Sequence, residues 1–110
     1  MSTSEQVARA LVSEITDNDM LELVELFVVE LPNRVAAMQE ALDKYDLAGL
    51  ASLAHQLKGS AGGYGFPTIT DAAKDVEFRA KTSDDVEGLK QQVEALVDLC
   101  HRAKPNKATA

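Results

Sequence analysis

Tryptophan is absent from this chain, and Phe and Tyr together leave the aromatic share at 5%. A core with so few rings has to be filled by aliphatic side chains. With Ala and Leu abundant, that composition favours helices packed on helices. Cys100 is the single cysteine, which excludes an internal disulfide and any zinc site built from this chain's cysteines alone. Positive charge is also scarce: 11 Lys and Arg stand against 18 Asp and Glu, giving a net charge of −7. Nucleic acid and anionic membranes are therefore not expected partners, because attraction to either depends on a surplus of Lys and Arg. No stretch approaches the ~20 apolar residues of a membrane span. The opening Met-Ser-Thr-Ser-Glu has neither a basic segment nor an apolar run of signal-peptide length, so a cytoplasmic protein is expected.

What is present is enough for one ordinary domain: 110 residues, 45% of them hydrophobic. From Met20, the residues Leu23, Val24, Phe27, Val28, Leu31, Val35, Met38 and Leu42 return to one side at helical spacing. Asp17 or Asn18 is placed to cap this helix. Pro32 interrupts the stripe without changing its phase, which predicts one long kinked helix, with two helices meeting near Leu31 as the alternative. Asp46 can cap a second helix, with Leu50, Leu53, Ala54, Leu57 and Ala61 on one face, ending at Gly62, Gly63 and Gly65. Pro67 suits the first turn of a third, striped by Ile69, Ala72, Ala73, Val76 and Ala80. Ser83 or Asp84 opens a fourth, with Val86, Leu89, Val93, Leu96, Val97 and Cys100 inward. The expected fold is all-α, an antiparallel up-and-down four-helix bundle over 17–103. Val7, Ala8 and Leu11 suggest a short extra N-terminal helix within 1–16 that packs on the bundle, and 104–110 reads as a flexible tail.

His55 does not belong to the core. At ~100° per residue the stripe of its helix centres well over 100° away, so the imidazole should point outward. Ala51 and Ser52 lie one turn before it on that outward face, Lys58 and Gly59 one turn after, and Gly62 beyond. All but the lysine are small. Glycine inside a helix costs roughly 1 kcal/mol relative to Ala, and Gly59 at i+4 from His55 has a use for that cost: it lets another protein's backbone approach. An exposed neutral imidazole is a competent nucleophile toward phosphorus near neutral pH. Lys58 at i+3 could set an ammonium beside the incoming phosphoryl oxygens; without such a role it would be an ordinary solvated lysine.

The run Ala54-His55-Gln56-Leu57-Lys58-Gly59-Ser60-Ala61, followed by Gly65, resembles the signature helix of histidine-containing phosphotransfer (Hpt) domains. Phe27, Glu30-Leu31-Pro32, Arg34, Met38, Ala41-Leu42, Asp46-Leu47 and Leu50 extend the resemblance over most of residues 18 to 80. It implies a four-helix bundle whose His55 exchanges a phosphoryl group with receiver-domain aspartates or a sensor (hybrid) histidine kinase. Any Mg²⁺ and most catalytic groups would belong to the receiver. The resemblance also implies an acidic or amide side chain on the next helix that bonds the imidazole, a position that falls on Glu77 here. The implied partner surface comprises Ala51, Ser52, Gln56, Gly59 and Gly62. Phe66-Pro67 after Gly65 departs from the family pattern, where small or simple helix-starting residues are common.

Other readings are weaker. His101 sits at the boundary of the last stripe beside Arg102, where cationic side chains suit a helix C-terminus. No Glu-x-x-His pair or Cys-x-x-Cys-His run supports metal or haem. Gly62-Gly63-Tyr64-Gly65 follows a helix and lacks a Gly-Lys-Ser/Thr ending, so it does not suggest nucleotide binding. The expectation is a monomeric phosphocarrier without cofactor, metal or kinase and phosphatase activity of its own. The alternative is a helical docking adaptor that is never phosphorylated.

Overall fold

Residues 9–107 are described by a computed structural model. Its elements are β1 Leu11–Val12, α1 Asn18–Asp43, α2 Leu47–Gly63, α3 Pro67–Thr82, α4 Val86–Arg102 and β2 Ala103–Lys104. The helices start where the sequence supplies an acceptor or a preset turn. Asp17 accepts from the Asp19 N–H at 2.9 Å, Asp46 from the Gly49 N–H at 2.9 Å and Asp85 from the Gly88 N–H at 3.0 Å. The last of these corrects the cap expected at Ser83 or Asp84. Ser83 Oγ is occupied one step earlier, accepting from the Asp85 N–H in the turn that leads into α4. α3 has no side-chain cap and begins with Pro67, whose missing N–H leaves one fewer donor to satisfy.

α1 runs unbroken through Pro32, and its buried line is Val24, Phe27, Leu31, Val35, Met38, Ala41 and Leu42. Leu23, counted in the stripe, is 46% exposed; α1 packs on the bundle from one side, so only the centre of its apolar arc is covered. Leu50, Ala54, Leu57 and Ala61 of α2, Ile69, Ala73 and Val76 of α3, and Leu89, Val93 and Leu96 of α4 complete one core. Phe66, at the departure from the family pattern, is 1% exposed. Its ring lies 5.9 Å from that of Phe27, which also stacks on Tyr64 at 4.9 Å. The loop before α3 is thus anchored to α1 by aromatic contact.

The N-terminal segment departs from expectation. Val7 and Ala8 lie outside the described residues, and Leu11–Val12 form a strand where a helix was expected. It pairs in parallel with Ala103–Lys104, so Lys104, expected to begin the free tail, is a strand residue. Lys107 Nζ goes on to meet Glu25 Oε2 at 3.1 Å. The reason is a set of backbone partners that no local pattern advertises. The Ser13 N–H donates to the Lys104 carbonyl at 2.9 Å, the Glu14 N–H to the Gly65 carbonyl at 2.8 Å, and the Ser13 hydroxyl to the Tyr64 carbonyl at 2.7 Å. Gly65 has φ +88°, and a Cβ there would collide with Ser13 Oγ and reach 2.8 Å from the Glu14 nitrogen. Both the turn and the close approach require glycine.

Candidate functional site

His55 stands in the middle of α2 with 65% of its side chain exposed. The residues around it in sequence are arranged to leave it so: Leu57 and Ala54 turn into the core at 0% exposure, while Ser52, Gln56 and Gly59 face out with His55. The facing residue of α3 is Glu77, 7% exposed and, with Ser13, one of two buried polar residues among those described. Its position between Ala73, Val76 and Ala80 puts it on the edge of α3 that packs against α2.

Glu77 joins three side chains. Oε2 lies 3.0 Å from His55 Nδ1 and accepts from Lys81 Nζ at 3.0 Å, and Oε1 accepts from Lys58 Nζ at 2.8 Å. Lys58 and Lys81 hold the Glu77 carboxyl down to about 2, opposed by its partial desolvation and helped by the bond to His55. At neutral pH Glu77 is a carboxylate, so Nδ1 meets an acceptor and carries the ring proton. Nε2 then keeps a free lone pair. The arrangement is an exposed imidazole oriented from behind by a fixed negative charge that two ammonium groups balance.

On the open side, His55 borders a groove of about 720 Å³ lined by Met20, Leu23 and Arg34 of α1 and Gln56, Gly59, Ser60, Gly63 and Tyr64 around α2. A Cβ at Gly59 would meet nothing within 4 Å, and one at Gly62 would come 3.3 Å from Thr70 Oγ1. Gly59 therefore faces open space, whereas Gly62 lies close to α3. Ala51 is corrected: at 4% exposure it is a core residue and not part of the outward face. α2 is covered by α1 on one side and α3 on the other, so its buried arc is wider than a single stripe and takes in the position before Ser52. Ser52, by contrast, is exposed beside His55. Cys100 is buried, and desolvation pushes its thiol up to about 12, which removes it as a reactive group.

The family model of the Hpt domain matches residues 22–103. The chain belongs to the Hpt domain family. It is a histidine phosphotransfer protein of a phosphorelay, and its match takes in α2, α3 and all four side chains of the Glu77 cluster. Among curated proteins, the Hpt chain is 28% identical over 95 residues to "Phosphorelay protein LuxU" of Vibrio vulnificus, in strains YJ016 and CMCP6 alike. The alignment covers 86% of this chain and 82% of each relative. No solved structure matches the Hpt chain significantly.

The sequence singled out His55, Lys58 and Glu77, and the fold brings these three together. It missed Lys81, although a lysine four residues after a glutamate on one helix is a pair that spacing alone could have flagged. It also missed the α1 side of the groove, because Met20, Leu23 and Arg34 lie far from His55 in sequence and nothing local links them to it.

Proposed function

We propose that His55 is the phosphorylated residue of this Hpt protein and that Nε2 is the attacking atom. The observation that carries the reading is the 3.0 Å contact between His55 Nδ1 and a Glu77 carboxylate, behind an imidazole that is otherwise open to solvent. The Nε2 lone pair forms a bond to the phosphorus of a receiver phospho-aspartate while the P–O bond to that aspartate breaks. The electron pair leaves on the aspartate carboxylate. The ring becomes cationic with its proton still on Nδ1, and Glu77 stabilises that charge electrostatically. Reversal on a second receiver passes the group on. Lys58 supplies positive charge toward the phosphoryl oxygens, and Ser52, Gln56, Gly59 and Gly62 contribute to the surface on which the partner sits.

Nothing in this scheme activates water or holds nucleotide, so the protein is a substrate of its partners, which are response-regulator receiver domains and a sensor (hybrid) kinase. We take the protein to act as a monomer. No helix among the described residues is long and apolar enough to cross a membrane, and the reading places the protein in the cytoplasm. The connections between successive helices are three residues each, 44–46, 64–66 and 83–85, and links this short reverse direction. We take the bundle to be antiparallel and up-and-down on that ground.

The test is incubation of the wild type and His55→Gln with phosphorylated receiver domains, scoring acid-labile, alkali-stable phosphate on this chain. Label on the wild type alone is expected. Label on neither favours the docking adaptor, and label on both moves the phosphorylated residue elsewhere.

A further inference from the structure

Glu77 has two lysines where one would complete a salt bridge, and their placement differs. Lys58 sits on Oε1 from the same helix as His55, while Lys81 sits on Oε2 from one turn along α3. In the unphosphorylated protein, then, the lysine assigned to the phosphoryl group is already engaged at 2.8 Å with a carboxylate on the Nδ1 side of the ring. A phosphoryl group on Nε2 forms at the other ring nitrogen. Lys58 has to swing from Glu77 to reach it, and a carboxylate only 7% exposed resists losing its countercharge, because a charge removed from water and left unpaired is strongly disfavoured.

We infer that Lys81 is a positioning residue, the counterion that stays with Glu77 while Lys58 transfers to the phosphoryl oxygens. Lys81 is 60% exposed at its side chain and Lys58 31%, so the ammonium that remains is well hydrated, and the one that moves belongs to the helix that carries His55. With Lys81 in place, Glu77 stays ionised and its Oε2 stays on Nδ1 throughout transfer. Without it, Lys58 is held on Glu77 and the phosphoryl group loses its nearest cation.

This inference rests on phosphorylation of His55. The experiment measures the rate of phosphoryl transfer from one phosphorylated receiver domain to the full chain as wild type, Lys58→Ala, Lys81→Met, Lys81→Arg, Glu77→Gln and the doubles Lys58→Ala with Lys81→Met and Glu77→Gln with Lys81→Met. The ¹⁵N shifts of the His55 ring are read alongside as a report on its tautomer. Lys81→Met is expected to slow transfer roughly two- to fivefold, the scale of a partly exposed ion pair, while the Nδ1–H tautomer is retained, because Lys58 stays on Glu77 and keeps it ionised. Lys81→Arg should restore the rate. Adding Lys58→Ala to Lys81→Met should cost little more, and Lys81→Met should have no effect where Glu77 is already Gln. Wild-type rates in Lys81→Met, multiplicative losses in the lysine double, or an undiminished loss in the Glu77→Gln background would each overturn the role of Lys81. An unlabelled wild type would instead overturn the carrier reading, and this inference with it.

Discussion

Four glycines near the proposed phosphotransfer site offer a graded test of why each is there. At Gly59 a methyl group meets nothing within 4 Å, so Gly59→Ala gains helix propensity with no steric penalty and should stabilise the fold by about 0.4–1 kcal/mol. For a domain of this size that raises the thermal midpoint by roughly 2 to 6 °C. Gly63→Ala also finds open space, but at the last residue of α2 it gains less. At Gly62 the 3.3 Å approach to Thr70 Oγ1 offsets the gain, because that hydroxyl is held in a hydrogen bond to the Lys58 carbonyl at 3.1 Å. Gly65→Ala should lose more than about 2 kcal/mol, from the left-handed backbone and from backbone atoms of the N-terminal segment that cannot yield. Melting followed by circular dichroism at 222 nm gives the order: Gly59 above Gly63, then Gly62, with Gly65 lowest. A Gly59→Ala that melts below the wild type would refute the account, since it would mean that the position is constrained by the fold and not kept small for a visitor.

Gly59→Arg should keep the wild-type circular dichroism spectrum and abolish transfer from a receiver, since the side chain enters the groove from which the partner must approach; loss of fold would count against that. Glu77 makes stability pH-dependent with a definite sign. Its carboxyl is lowered from 4.5 to about 2, so the unfolded chain takes up the proton first. The contribution is complete above about pH 4.5 and is lost as pH falls through about 2. Urea midpoints over that window should fall more steeply for the wild type than for Glu77→Gln, and equal slopes would falsify the assignment. Phe66→Ala, which empties a fully buried site stacked on Phe27, should cost about 3–5 kcal/mol by chemical denaturation.

The helices were legible because their information is local. Stripes at helical spacing, aspartates before α1 and α2, and Pro67 at the start of α3 each act within a turn or two. The exposure of His55 was legible for the same reason in reverse, as an imidazole on the side of its helix away from the apolar stripe. What escaped was non-local. Leu11–Val12 has no strand signature of its own and becomes a strand only because Ala103–Lys104 arrives beside it. Ala51 and Leu23 were misplaced because a projection shows which way a residue points but not how many neighbours a helix has. The i+4 spacing of Lys81 from Glu77 could have flagged the pair, but the burial of Glu77 that gives the pair its weight is not revealed by spacing.

The pairing of β1 with β2 makes a mechanical circuit. A displacement at Lys104 is passed across the ladder to Val12, along one peptide to Ser13, and through its hydroxyl to the Tyr64 carbonyl. Tyr64 is a wall of the groove beside His55. β1 and β2 therefore pull on the same wall, and a substitution that loosens either strand perturbs the face beside His55 by one shared route.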